Sequence, residues 1–271
     1  MGQTIACVNQ KGGVGKTTTV VNLATYLALS GRRVLVVDLD PQGNATSGFG
    51  IDKSTVDRSM YGALVDGLPL RDVVIPNVID GLSLAPSAIE LSGAEVELVS
   101  LERRDRRLAR ALDGVAGTYD WILVDGPPSL GLLTVNALTA ADAVLIPIQC
   151  EYYALEKLTQ LTTTVNLVRD HLNPSLEING VVLTMYDART KLSAEVADEV
   201  RRHLGNAVYD TVIPRSVRLS EAPSYGQPIA LYRADSRGAE AYASLAAEFI
   251  ARAESTTRTQ PVRQPVQAGA A

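Results

Sequence analysis

The sequence predicts a doubly wound α/β domain with a mostly parallel sheet flanked by helices. Two observations carry that prediction. Short apolar runs rich in β-branched residues alternate with helical stretches along nearly the whole chain. Most of those runs are continuous rather than alternating, as expected of strands covered on both faces.

The strands expected in order are Thr4–Val8, Arg33–Asp38, Leu82–Ala85, Trp121–Asp125, Ala143–Ile148, Ile178–Thr184 and Ala207–Ile213. Between and after them the patterns predict helices over Lys16–Ser30, Ser100–Leu112, Leu130–Ala140, Ala154–His171, Ser193–Leu204 and Arg237–Arg252. Gly31 follows the first helix as its stop. The segment from Ile51 to Asn77 is less regular and is expected to run over the surface. Residues 1–253 read as a single domain. From Glu254 the chain reads ESTTRTQPVRQPVQAGAA, with almost no large apolar side chain and no period. Residues 254–271 are therefore expected to form a disordered tail without an amphipathic face.

With 271 residues, 46% of them hydrophobic, the chain has ample apolar mass for one large core. Its net charge of -5 excludes a general polycation, so any nucleic-acid binding must use a local basic patch. Cys7 and Cys150 lie in or beside apolar runs, without the spacing of a zinc site or disulfide framework. They read as buried, reduced thiols. The N-terminus lacks the basic and apolar regions of a secretory signal, and no apolar run reaches transmembrane length. The expected location is cytoplasmic.

The chemistry is concentrated near the N-terminus, where IACVN, QKGGVG and KTTTVVNLATYLA give a strand, a glycine-rich turn and a helix in that order. This is the setting of a phosphate-binding loop. Gly12, Gly13 and Gly15 can bring backbone amides close to phosphate oxygens, with Val14 between them, and the helix beginning at Lys16 adds its positive N-terminal end. Lys16 would reach the β- and γ-phosphates, Thr17 would complete a Mg2+ shell, and Thr18 follows on the same turn. The usual pattern wants a glycine five places before Gly15. That place holds Gln10, and a second lysine, Lys11, comes next. The bland reading of Lys11 is a solvated loop lysine. Asp38 and Asp40, in VLVVDLDPQGNATS, point the same way on an extended chain, and Asp125 ends the run WILVDGPPS as a metal-holding carboxylate would. Each of the three also has a bland reading as a strand-end or turn aspartate.

KGGVGKTT, DLDPQGNAT, DGPPSLGLLTVNAL, TMYDART and IPRSVRLSEAPSYGQPI together resemble the ParA/Soj branch of the deviant-Walker-A ATPases, from about Gln3 to Arg252. The resemblance implies a deviant P-loop NTPase with ATP and Mg2+ as cofactors and an ATP-sandwich homodimer. Lys11 would reach across the dimer interface to the partner's ATP. Lys11, Lys16 and Asp40 would be catalytic, with Asp40 orienting the attacking water. Thr17, Asp38 and Asp125 would serve the metal, Asp125 through water. Gly12 to Thr18 would cradle the phosphates, and Met185 and Pro214 would contact the base. The chain departs from the family where Gly126 stands in place of a frequent Cys and Ser216 in place of the Asn of IPRN.

Arg189, Arg215, Arg218, Arg233 and Arg237 lie in the C-terminal third. Asp187, Glu221 and Asp235 stand close enough in sequence to pair with them, and the bare sequence leaves a DNA surface and plain salt bridges equally open. The resemblance implies that Arg189 and Arg218 bind non-specific double-stranded DNA. It also implies a ParB-type centromere-binding partner and nucleoid association. The run LERRDRRLAR reads as a solvated helix face. The alternative is a MinD-like membrane-surface ATPase switch, but the prolines of TQPVRQPVQAGAA argue against the amphipathic helix it needs. No stable membrane association is expected. A metal-cluster reductase is a poorer reading, since Cys7 lies inside the first strand.

Overall fold

In the computed structural model, residues 2–151 and 154–259 are described. The strands are β1 (Gln3–Cys7), β2 (Val34–Asp38), β3 (Ile75–Ile79), β4 (Leu82–Ala85), β5 (Trp121–Asp125), β6 (Ala143–Gln149), β7 (Glu177–Tyr186) and β8 (Val208–Pro214). The helices are α1 (Lys16–Leu29), α2 (Asn44–Gly48), α3 (Leu91–Glu97), α4 (Arg107–Asp113), α5 (Leu132–Ala140), α6 (Ala154–His171), α7 (Lys191–Leu204), α8 (Val217–Glu221), α9 (Ile229–Tyr232) and α10 (Arg237–Thr259). The strands form one sheet in the order β3-β4-β2-β5-β1-β6-β7-β8. Every pairing is parallel except β3 against β4.

The continuous apolar runs have the predicted cause. In β1 and β2, Ala6, Leu35 and Val37 face one buried layer, built with α3 to α7. Ile5, Val34 and Val36 face the other, built with α1 and α10. Trp121 meets Phe249 edge-on at 4.7 Å, which ties the base of β5 to α10. The sheet's order reverses around β1, β5 and β6, and ligands of such sheets bind in the crevice beyond the strands' C-terminal ends at that reversal.

Gly31 stops α1 as expected, at φ 84° and with its amide on the Ala28 carbonyl at 2.8 Å. Three expectations need correction. The segment Ile51 to Asn77 is not merely a surface connection: its own Met60, Ala63, Leu64, Leu70 and Val73 are buried, and its end begins the antiparallel edge strand β3. Hydrophobic anchoring without a clear period hid it. The helix expected over Ser100–Leu112 starts only at Arg107. Leu101 is extended and Arg103 takes φ 50°, so LERRDRRLAR is a turn followed by a helix rather than one helical face. Asn136 of α5 fixes that start, accepting from the Leu108 amide at 3.1 Å and donating to the Arg104 carbonyl at 2.7 Å. Finally, α10 runs through Thr259, so the first residues of the expected tail are helical. The remainder of that tail lies outside the described residues.

Candidate active site

The loop between β1 and α1 is braced from three sides. Asn9 donates to the Pro147 carbonyl at 2.7 Å and accepts from the Lys11 amide at 3.0 Å. Thr184 of β7 donates to the Val14 carbonyl at 2.8 Å. Lys16 is buried and its Nζ donates to the Lys11 carbonyl at 3.2 Å, closing the loop on itself. Gly13 and Gly15 take φ 73° and 88°, a region open to glycine at little cost. Val14 between them is buried.

Register brings the acids to this loop. Cys7, Asp125 and Asp38 are successive partners across β1, β5 and β2, so the strand ends align. Asp38 is buried and fully engaged: it accepts from the Asp40 amide at 3.2 Å, the Thr46 amide at 2.8 Å and the Thr46 hydroxyl at 2.7 Å. Burial nevertheless pushes its carboxyl up to about 6, with the nearby Asp40 adding to the rise. Its geometry is that of a brace for the Asp40–Thr46 turn. Asp40 accepts from the Gln42 amide at 2.9 Å, and its carbonyl accepts from the Ser87 hydroxyl at 2.8 Å.

Asp125 is different. Both its carboxylate oxygens are buried without a hydrogen-bond partner. Burial first, and then Asp38, push its carboxyl well above the usual range; the Thr17 hydroxyl and Lys16 pull the other way without satisfying it. Burial also pulls the Lys16 ammonium below its ordinary value. A buried carboxylate lacking a partner is costly unless something else supplies the positive charge. A hard cation held between Thr17 and Asp125 fits that need, and the residues present suit Mg2+.

Above the loop is a cleft of about 600 Å³, lined among others by Gly12, Lys16, Thr17, Asp40, Met185 and Pro223. It shares Gly15, Thr18, Met185, Leu219 and Pro223 with a second cleft of about 460 Å³, which reaches Pro214. Met185 and Pro214 therefore stand on a more apolar extension of the cleft above the glycine loop. Met185 holds φ 50°, a strained value for a side chain of its size. Motif reading missed Thr46, Ser87, Thr184 and Leu219. Thr46, Thr184 and Leu219 lie inside quoted motifs, but nothing in a linear sequence shows that they turn inward.

The three remaining predicted positions are exposed. Lys11 pairs with Glu151 at 2.5 Å within the same chain. Arg189 pairs with Asp187 at 2.8 Å and Arg218 with Glu221 at 2.7 Å, as the salt-bridge reading expected. Arg189 remains 86% exposed and Arg218 49%, and such surface pairs hold weakly.

The comparisons with known proteins agree with this geometry. A family model described as an AAA domain matches residues 2–178. The sporulation initiation inhibitor protein Soj of Bacillus subtilis is 58% identical over 93% of this chain and 99% of its own length. The chain belongs to the Soj/ParA family of partitioning ATPases. The chromosome partitioning protein ParA of Caulobacter vibrioides is 52% identical over 92% of this chain and 94% of its own. Among solved structures, one described as cobyrinic acid a,c-diamide synthase from Mycobacterium smegmatis, with bound ADP and magnesium, is 36% identical. It superposes with a TM-score of 0.83 over 98% of this chain and 100% of that one. These likenesses bear out the doubly wound, mostly parallel fold and the Soj/ParA resemblance. No helix among the described residues is long and apolar enough to cross a membrane.

Proposed function

We propose that this protein is an ATP-driven partition switch whose ATP-bound homodimer holds DNA without sequence preference and lets go on hydrolysis. The observation that carries the reading is the partnerless buried Asp125, set beside Thr17 and Lys16 under a glycine loop. Structural relatives described with bound nucleotide and magnesium support it.

In this reading Lys16 and the amides of Gly12 to Thr18 cradle the phosphates, and Met185 and Pro214 flank the base. Thr17 and Asp125 hold Mg2+, which supplies positive charge to the phosphate oxygens. Asp40 orients the attacking water, and Asp38 fixes Asp40 through the shared turn rather than meeting the metal first. Lys11 leaves Glu151 and enters the partner's site, where it meets charge that develops during phosphoryl transfer. Opening an exposed pair of that kind costs about 0–1 kcal/mol, so dimerisation readily displaces it. Arg189 and Arg218 exchange their carboxylates for DNA phosphates, and a dimer doubles the number of contacts. A ParB-type centromere-binding partner would stimulate hydrolysis and release, with the protein on the nucleoid between cycles.

The test is binding to a random-sequence duplex, with ATP and with ADP, across a salt series. ATP-dependent binding with a log–log slope near -0.9 per phosphate contact is expected, and Arg218→Glu should weaken it while leaving ATP affinity intact. Lys16→Ala should abolish nucleotide binding. Equal binding with ATP and ADP would refute the switch, and unchanged ATP affinity in Lys16→Ala would refute the loop assignment.

A further inference from the structure

The loop that leaves Asp125 ends at Gly131, the residue just before α5. Two carboxylates with buried, partnerless oxygens stand at its two ends. Asp125 opens it, and Glu95 of α3 lies over its close. A Cβ built on Gly131 would fall 2.0 Å from Glu95 Oε1 and 2.8 Å from its Cδ. The glycine is extended here, at φ -79° and ψ -169°, so its backbone does not call for glycine. What calls for it is the carboxylate. No side chain caps α5 at Gly131, and Glu95 brings negative charge to that helix end, where the peptide dipoles favour it. Between the ends lie Pro127 and Pro128, each with a fixed φ, and Pro128 faces Gly12 across the cleft. Thr134 ties the far side by donating to the Ser129 carbonyl at 2.6 Å. A displacement at Gly131 therefore travels along a stiff segment to Pro128 and Asp125.

We propose that Glu95 is a positioning residue for the Asp125–Gly131 loop: its carboxylate, seated over Gly131, holds the loop in the arrangement that aims Asp125, and Gly131 lacks a side chain to admit it. Its effect on turnover rests on the ATP-hydrolase reading; its effect on the loop does not.

The experiment uses the full chain with Glu95→Ala, Glu95→Gln, Gly131→Ala and the Glu95→Ala/Gly131→Ala pair. Alanine at 131 expels the flexible end of Glu95, so the two alanine variants should behave alike. Each should lower kcat by about tenfold without changing ATP affinity measured in the absence of metal. The double variant should fall no further than either single one, because the same contact is lost only once. Glu95→Gln keeps the shape and should retain more activity than Glu95→Ala; it also carries the test if an alanine variant fails to fold. Hydrogen exchange at the Gly126 amide, which bonds to the Cys7 carbonyl at 3.1 Å, should quicken by about tenfold in nucleotide-free Glu95→Ala. If Gly131→Ala costs the same factor in the Glu95→Ala background as in the parent, or if Gly126 exchange is unchanged, the proposal is overturned. A parent protein without turnover would sink the hydrolase reading alone, since the exchange measurement still decides the role of Glu95.

Discussion

Thr46→Val is the sharpest probe of how Asp40 is placed. One buried hydroxyl does two things: it donates to Asp38 Oδ2 at 2.7 Å and accepts from the Ser87 amide at 3.0 Å. Valine matches threonine in shape, so no cavity opens. What is lost is a hydrogen bond to a carboxylate, about 1.5–3 kcal/mol, and a partner for a buried amide, about 1–3 kcal/mol. The expected loss is about 3–5 kcal/mol, a large share of the roughly 5–15 kcal/mol that holds a typical domain folded. Thr46→Ser keeps the hydroxyl and removes a methyl, which should cost about 1 kcal/mol. Urea unfolding of the ligand-free protein, followed by the fluorescence of its one tryptophan, Trp121, measures both. Losing the hydroxyl also removes the strongest influence holding the Asp38 carboxyl down, so its value should climb beyond about 6. Equal stability of the valine and serine variants would refute the argument that this hydroxyl braces the turn.

Asp125→Asn removes a group whose folded value burial has raised. Such a carboxyl makes the ligand-free protein lose stability as pH rises from its unfolded value through its folded one. The melting temperature of the variant minus that of the parent should therefore be larger at pH 8 than at pH 5; a smaller difference at pH 8 contradicts the sign. Asp187 is the opposite case, drawn down to about 2 chiefly by its hydrogen bond from Arg189. Its contribution is present above the ordinary aspartate value and is lost as pH falls through about 2. Arg189→Ala should return it towards the usual carboxylate range in a carbon-13 titration, and a midpoint still near 2 would show that the pair is not the cause. Gly226 has φ 61°, and a Cβ there would meet Gly50 Cα at 2.6 Å. Gly226→Ala should cost about 1–3 kcal/mol and weaken nucleotide binding through the nearby Pro223 wall. Gly117→Ala, which meets nothing within 4 Å, should do neither; similar losses at both positions would defeat the packing argument.

The sequence revealed most where one residue type has one physical use. Apolar runs such as VLVVD and WILVD located buried strands because both faces of the sheet are covered. Gly13 and Gly15 marked a loop that needs positive φ. It revealed least where a side chain acts at long range in the chain. Nothing local shows that Asn136 sets the start of α4, that Thr184 pins the Val14 carbonyl, or that Glu151 holds Lys11. IPNVI escaped notice as a strand because Pro76 and Asn77, the latter at φ 52°, interrupt its pattern, and an edge strand tolerates them. Asp38 showed the limit of motif reading. Its spacing from Asp40 brought both carboxylates to the phosphate end, but did not show that its oxygens are engaged by the backbone and side chain of the turn.

The strand order also has a consequence for a chain as it is being made. The phosphate loop hangs from β1, yet β1 pairs only with β5 and β6. Until Trp121–Asp125 has been synthesised, the first strand has no neighbour in the sheet. Closure comes later still: Met185, Leu219, Pro223 and Gln227 wall the cleft, and Tyr242 of α10 shares a hydrogen bond with Thr19 of α1 at 3.2 Å. The motif that is translated first is thus among the last parts to become a site. Long-range closure of this kind slows folding and leaves apolar strands waiting for partners, and nucleotide cannot steady the chain through those early stages. Affinity for nucleotide becomes a sign that translation has passed α10.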